Sequence, residues 1–351
     1  MVGVALGRNY DRLDTMTDRA ALLTDFIQHA GWADARRKTV AGDASNRRYE
    51  RLVQPDGTRV ILMDAPSEKG EDVRPFISVA EHLRAIGLSA PEIFARDEVH
   101  GFLLIEDLGD DLYKQVIARD PSLEEPLYAA SVDVLTVLHA APLPPLAPYD
   151  TNTMTKFAAR AYEWYLFGIT GIQDTAEQAE FERLMADLLA QLEHAKQVLI
   201  QRDYHAENLL WLPDRQGAAR VGLLDFQDAM SGHAAYDLVS VLQDARRDVP
   251  PAIEAAMIDR YLNQNPQDAA SFRAAFAILG LQRNLRIVGA FAKLCIEAGK
   301  PRYLDLIPRV WEFIERNLAH PALSPIAPHI SATLPVPDPE ILAALKSKCA
   351  T

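Results

Sequence analysis

Cysteine is nearly absent from this chain: Cys295 and Cys349 are the only two in 351 residues. They stand 54 positions apart without the spacing of a metal site, and Cys349 falls among the last three residues, so no disulfide is expected. Long apolar runs are missing too. None approaches the roughly 18 residues of a bilayer span. Met1 to Met16 lacks the charged start and apolar core of a secretory leader, so a cytoplasmic, reducing location is expected. Positive charge is scarce, with 36 Lys+Arg against 49 Asp+Glu and a formal charge of −13. A protein that grips phosphodiester backbone needs clustered positive charge, so nucleic acid is not an expected partner, and an anionic membrane surface is disfavoured likewise. What is present is ordinary globular material: 49% hydrophobic and 24% charged residues, which excludes disorder as the main state. The length suits two domains or one large two-lobed unit.

Periodicity divides the chain into a sheet part and a helical part. Thr17 to Gly31 reads as a first helix, with Leu22, Leu23, Phe26 and Ile27 on one face. Arg48 to Val53 and Thr58 to Asp64 read as a hairpin across Pro55-Asp56-Gly57. A helix carrying Phe76, Ala80 and Leu83 follows, then two short strands at Ile93 to Ala95 and Phe102 to Ile105. From Leu112 the pattern is almost wholly helical, with single helices expected over Lys156 to Phe167 and Ala176 to Lys196 and a proline-rich loop at Ala141 to Pro148. Short β-like runs interrupt it at Val198 to Arg202, Asn208 to Leu212 and Arg220 to Leu224. Helices resume at Ala234 and run to about Asn317. His320 to Pro339 is proline-studded, and a last helix is expected over Glu340 to Lys348.

The polar chemistry sits among the short β-like runs. Asp203 leaves a strand end on a loop, Asn208 returns five residues later, and Asp225 ends the next hairpin. A carboxylate beside a substrate hydroxyl can orient it and take its proton, while an amide oxygen and a second carboxylate are hard ligands for Mg²⁺ bridging ATP phosphates. Asp and Asn at this spacing also hold tight loops by bonding backbone, and alone they would mean no more than that. Here Arg202 precedes the Asp, a hairpin follows the Asn, and Leu223-Leu224-Asp225-Phe226 comes 17 residues after it. That joint order matches a kinase catalytic loop and metal-binding segment.

At these residues the chain resembles the aminoglycoside phosphotransferase family, a branch of the protein-kinase-like fold. Phe102-Leu103-Leu104-Ile105-Glu106-Asp107-Leu108-Gly109 resembles its hinge, and Tyr236-Asp237-Leu238 its following helix with a buried Asp. Within that family the similarity is to the cell-wall amino-sugar kinases. It is carried by Gly42 to Tyr49, Ile61 to Pro66, Asp203-Tyr204-His205 with Asn208, Asp225 to Ala229, Gln282 to Leu285, and Gly299 to Leu304. The resemblance implies an α+β protein-kinase-like fold: a nucleotide-binding lobe of small antiparallel sheet over 1–108, a hinge at 105–109, a mainly helical lobe over 110–320 with catalytic loop and acceptor site, and a tail over 321–351. It implies transfer of the γ-phosphate of ATP to the anomeric hydroxyl of N-acetylmuramate and N-acetylglucosamine.

By the same resemblance Asp203 is the catalytic base, Asn208 and Asp225 hold Mg²⁺, and Glu106 C=O and Leu108 N–H meet adenine. Gly42 to Arg48 covers the phosphates, with Asn46, Arg47 and Arg48 as nucleotide-binding candidates and the choice of inward arginine left open. Asp237 is expected to accept backbone hydrogen bonds under the catalytic loop. Kinases usually carry a phosphate-pairing lysine on the third strand, yet Val60-Ile61-Leu62-Met63-Asp64 holds none. An arginine of the Gly42 loop is the expected substitute, which makes Glu81 a solvent-facing residue. Arg283 is the candidate reader of a sugar carboxylate, because a guanidinium fork fits that group. Two other readings stay open: a kinase for another hydroxyl acceptor such as an aminoglycoside, choline or homoserine, and a nucleotide-binding pseudokinase that scaffolds a partner. Oligomeric state is not legible.

Overall fold

The computed structural model describes residues 10–40 and 46–350, with side chains from residue 19 onward. In chain order the first elements are α1 (Tyr10–His29), β1 (Arg36–Val40), β2 (Arg48–Val53), β3 (Arg59–Asp64), α2 (Arg74–Ala85), β4 (Ile93–Asp97) and β5 (Phe102–Glu106). Next come α3 (Tyr113–Arg119), α4 (Glu124–Ala140), α5 (Thr151–Arg160), a π-helical segment (Ala161–Leu166), α6 (Phe167–Thr170) and α7 (Thr175–Ala190). Four short strands follow: β6 (Gln197–Ile200), β7 (Leu209–Trp211), β8 (Val221–Leu223) and β9 (Met230–His233). The chain closes with α8 (Ala235–Leu242), α9 (Pro251–Gln264), α10 (Ala269–Ala298), α11 (Ile307–Leu318), α12 (Ala327–Thr333) and α13 (Pro339–Lys346). Two compact units result, one of residues 1–85 and 90–109, the other of 86–89 and 110–351.

In the first unit the strands form an antiparallel sheet in the order β1-β2-β3-β5-β4. The β2–β3 hairpin pairs Arg48 with Asp64 and Val53 with Arg59, across a turn in which Asp56 Oδ1 accepts the Thr58 N–H at 2.8 Å and Gly57 takes φ 90°. Leu23 and Ile27 of α1 cover Leu52, Val60, Leu62, Phe102 and Leu104 on one face. Met63, Leu103 and Ile105, which alternate with those residues, are buried too. β5 is therefore covered on both faces, which is why it reads as an unbroken apolar run.

Gly101 leads into β5 at φ 76°, and its carbonyl accepts the Ala65 N–H at 2.9 Å. A Cβ there would stand 1.9 Å from the Ala65 carbonyl oxygen. Gly101→Ala is thus expected to cost about 3 kcal/mol through left-handed strain and backbone displacement. A thermal-unfolding midpoint equal to that of the wild type would contradict this.

The second unit is built around α10, which is capped by Asp268 accepting the Ser271 N–H at 2.7 Å and is buried on nearly every side. Two antiparallel pairs, β6 with β9 and β7 with β8, form its only strands among the described residues. Gly289 of α10 lies so close to α5 that a Cβ would meet the Arg160 carbonyl carbon at 2.3 Å. The helix expected over Lys156 to Phe167 is interrupted: α5 gives way after Arg160 to the π turn, and Tyr162 and Tyr165 within it bond Thr333 Oγ1 at 2.7 Å and the Pro335 carbonyl at 2.8 Å.

Three other expectations need correction. The first helix begins at Tyr10 rather than Thr17, and the helix expected to reach Lys196 stops at Ala190. The cysteines are paired: Cys295 and Cys349 form a disulfide with Cα atoms 4.7 Å apart. Distance along the chain misled here, because α13 folds back on α10 with Leu345 buried, and the Ala350 N–H then bonds the carbonyls of Cys295 and Ile296 at 3.2 Å. No helix of the described residues is long and apolar enough to cross a membrane.

Candidate active site

β6 ends at Ile200, and Gln201 and Arg202 carry the chain into the loop of Asp203. Asp237, wholly buried in the first turn of α8, fixes that exit: its carboxylate accepts the Gln201 N–H at 2.6 Å and the Arg202 N–H at 2.9 Å. The expectation for Asp237 is met. Burial pushes its carboxyl up to about 7, against the opposing pull of those two N–H groups and of Arg283. Arg202 sits at φ 72° and Asp225 at φ 57°, the only non-glycine residues with positive φ among those described. Such conformations persist only where surrounding contacts impose them, and here they bracket one loop system. Ser240 Oγ donates to the Arg202 carbonyl at 3.3 Å, and Arg202 Nη1 donates to the Asp228 carbonyl at 3.2 Å.

Within the loop, the buried Tyr204 donates its hydroxyl to the Ser131 carbonyl at 2.8 Å, and the Asn208 N–H closes onto the His205 carbonyl at 2.8 Å. His205 is buried, accepts the Glu207 N–H at 3.3 Å on Nδ1, and is shifted down in pKa chiefly by that burial. It is a packed loop residue. Asn208 Nδ2 donates to the Asp203 carbonyl at 2.9 Å and lies 3.4 Å from Asp225 Oδ2, while the Leu224 N–H bonds the Asn208 carbonyl at 3.0 Å. Gln227 Nε2 holds the other oxygen, Oδ1, of Asp225 at 2.7 Å. Asp203, Asn208 and Asp225 are therefore brought together, with Asn208 bridging the other two.

A metal ion at this point would meet few protein ligands. Among the described residues no group of three or more His, Cys, Asp or Glu side chains is placed to hold one. Asn208, whose Nδ2 bonds the Asp203 carbonyl and lies 3.4 Å from Asp225 Oδ2, carries an amide oxygen on the same side chain that is a hard donor, as the Asp225 carboxylate is. Two hard oxygens fit Mg²⁺, which keeps several waters and takes phosphate oxygens for the rest.

The charge around Asp203 is positive. Arg286 Nη2 stands 4.0 Å from its Oδ1. Burial raises the Asp203 carboxyl, but Arg286, then Arg283, His205 and Arg202, outweigh it and hold the group below the ordinary carboxylate range. Arg286 Nη1 also bonds Tyr236 Oη at 3.0 Å, and its guanidinium is pushed up by Tyr236, Tyr149 and Asp203 despite its own burial. Arg283 lies differently. It is buried, bonds the Gln243 carbonyl at 3.4 Å, and has its pKa lowered chiefly by burial. Of these two, it is the residue one turn further along α10 that reaches Asp203.

In the first unit, Glu71 accepts the Asn46 N–H at 3.1 Å and Arg47 Nε at 2.9 Å. Burial lowers the Arg47 pKa, yet Tyr49 and Glu71 raise it overall. Arg48 is exposed at the start of β2. Gly42, Asp43, Ala44 and Ser45 lie outside the described residues. Glu106 ends β5, with its N–H on the Glu92 carbonyl at 2.8 Å. Leu108 follows Asp107, a nearly buried carboxylate that sequence reasoning missed. Asp107 accepts Arg51 Nη2 at 2.9 Å, pairs with Arg51 Nε at 2.7 Å and takes the Gly109 N–H at 3.1 Å, so it pins the turn on which Leu108 sits. Its signal was the Arg51 two strands away, which only register could reveal. Glu81 is exposed and pairs with Arg96 at 3.2 Å.

Residues 36–274 match the family model described as the phosphotransferase enzyme family, APH. The chain is 39% identical to an N-acetylmuramate/N-acetylglucosamine kinase of Caulobacter vibrioides over 91% of its own length and 98% of that protein. It is 32% identical to a protein of the same name from Pseudomonas putida, over 83% of this chain and 87% of that one. Among solved structures it shares a fold with a choline/ethanolamine kinase family protein from Mesorhizobium loti, at TM-score 0.59 and 14% identity, covering 95% of this chain and 99% of that one.

Proposed function

We propose, since this chain belongs to the phosphotransferase enzyme family, that it transfers the γ-phosphate of ATP to the anomeric hydroxyl of N-acetylmuramate and N-acetylglucosamine. The observation that carries the reading is the convergence of Asp203, Asn208 and Asp225, with Asn208 2.9 Å from the Asp203 carbonyl and 3.4 Å from Asp225. The proposed acceptor is that of the N-acetylmuramate/N-acetylglucosamine kinases that match the chain over most of its length.

In this reading Asp203 receives the proton of the sugar hydroxyl and aims its oxygen at phosphorus. Asn208 Oδ1 and Asp225 hold Mg²⁺, which when bound offsets phosphate charge. Phosphoryl transfer asks little covalent work of a protein, so positioning and charge are what these residues supply. Glu106 C=O and Leu108 N–H are the proposed adenine contacts, on a turn stiffened by Asp107. Asn46 and Arg47 are tied to Glu71, which leaves the exposed Arg48 as the guanidinium proposed to meet phosphate in place of the strand lysine.

The test is a Mg²⁺-ATP assay on N-acetylmuramate, N-acetylglucosamine, kanamycin and choline, with phosphorus NMR to locate the new phosphate. A sugar 1-phosphate is the expected product. Phosphorylated kanamycin or choline alone would replace the acceptor. Nucleotide binding without turnover on any acceptor would favour the pseudokinase, for which the absence of a lysine from β3 is the supporting observation.

A further inference from the structure

Three guanidinium groups of the second unit crowd around one aromatic ring. The Cζ atoms of Arg160, Arg286 and Arg202 lie 4.5, 5.8 and 5.9 Å from the centroid of Phe157. Among the described residues a single carboxylate comes within ion-pair reach of any of them, Asp203 at 4.0 Å from Arg286. Among those residues the Arg160 guanidinium makes no hydrogen bond or ion pair and lies over the ring, and Arg202 spends Nη1 on a backbone carbonyl while its buried Nε has no acceptor. Like charges held this close repel unless an anion lies among them. Most other arginines of this acidic chain have found carboxylates, as Arg51, Arg183, Arg260 and Arg309 have.

The arrangement is also built rather than incidental. Gly289 lets the Arg160 backbone press against α10, three residues beyond Arg286 on the same face. The α-helix ends at Arg160, where the π segment begins, and π turns inside helices recur at functional sites. Arg202 is held in its left-handed conformation by Asp237 and Ser240. Fixed backbones thus deliver the three groups around the Phe157 ring, with Arg286 4.0 Å from Asp203.

We infer that Arg160, Arg202 and Arg286 form an anion-recognition site that reads a carboxylate on the acceptor. This rests on the sugar-kinase reading above and deepens it. The two sugars differ at one substituent: N-acetylmuramate bears an ether-linked lactyl carboxylate where N-acetylglucosamine has a hydroxyl. An anion beside Asp203 has two sources, that carboxylate or the phosphoryl group in transfer, and the kinetics of the two sugars separate them. Arg160 is the informative residue because its guanidinium makes no hydrogen bond or ion pair among the described residues and lies over Phe157. Arginine rather than lysine suits the role, since its planar fork bonds both oxygens of a carboxylate.

The experiment measures kcat and KM of the full-length enzyme for each sugar and for ATP, in wild type, Arg160→Gln and Arg160→Lys, with circular dichroism to verify folding. In Arg160→Gln, kcat/KM for N-acetylmuramate is expected to fall about tenfold further than for N-acetylglucosamine, through KM, as loss of a charge-assisted hydrogen bond implies. Arg160→Lys should recover part of it. An equal fall on both sugars, a rise in the KM of ATP as the main effect, or an unchanged ratio each overturns the carboxylate assignment. A wild type that phosphorylates neither sugar overturns the sugar-kinase reading and this inference with it, a result separable from the others because it needs no variant.

Discussion

Replacing Asp203 by Asn should lower kcat about 10³-fold while moving the KM of ATP by no more than about threefold. The substitution keeps the shape and removes the carboxylate proposed to accept the sugar proton. Its backbone carbonyl still receives Asn208 Nδ2, so the pair with Asp225 stays in place. Steady-state kinetics on either sugar measure it, and turnover within tenfold of wild type would sink the assignment of the base. The pH profile carries a second readout. Because Arg286, Arg283, His205 and Arg202 hold the Asp203 carboxyl below its ordinary range in spite of burial, the base stays ionised throughout the neutral and mildly acidic range. Arg286→Gln removes the largest of those positive influences, so the acid limb of kcat/KM should move to higher pH.

The second large effect is expected at Asp237. Asp237→Ala leaves the Gln201 and Arg202 N–H groups without their buried acceptors, at a cost of about 4 kcal/mol for the two. It also frees Arg202 from the contacts that impose φ 72°, so Asp203 loses its aim and turnover should fall with stability. Denaturant unfolding and turnover read these together, and a variant as stable as wild type would show that water replaces the carboxylate without loss. A pH signature accompanies it. The ordinary value of 3.8 is raised to about 7 in the folded chain, so between those values the native state keeps a proton that the unfolded state releases. The contribution of this group to stability is therefore complete below about 4 and is lost as pH rises through 7; Asp237→Asn should flatten that part of the curve.

Much of the first unit was readable in the sequence because its information is local. The Pro55-Asp56-Gly57 turn gives the hairpin register, and Phe102 to Ile105 announces a strand covered on both sides. β1 was not readable: four of the five residues in Arg-Arg-Lys-Thr-Val are exposed, so no alternation marks it. β9, Met-Ser-Gly-His, is short and polar and becomes a strand only by pairing with β6. At the candidate site Asp203, Asn208 and Asp225 were legible because one loop and one hairpin carry all three. The arginines were not, since Arg160, Arg202 and Arg286 come from distant parts of the chain and meet only through Phe157. Sequence singled out Arg283, and it could not show that this residue would be sealed in at Gln243 while Arg286 would face Asp203.

The π turn between α5 and α6 gives the residue count there a mechanical meaning. A π turn closes its hydrogen bond across one more residue than an α turn, i→i+5 rather than i→i+4, and one residue of α-helix corresponds to about 100° of rotation. Side chains before the turn, Phe157 and Arg160, and those within it, Tyr162 and Tyr165, therefore run in different angular phases. The first pair serves the guanidinium cluster, and the second is anchored to Thr333 and Pro335 near the end of the chain. Deleting one residue from 161–166 would restore a regular helix of nearly the same composition, yet it would force a choice between the two settings. Length at this point is thus a dimension of the proposed acceptor side, in the way that a keyway fixes the angle between two parts on one shaft.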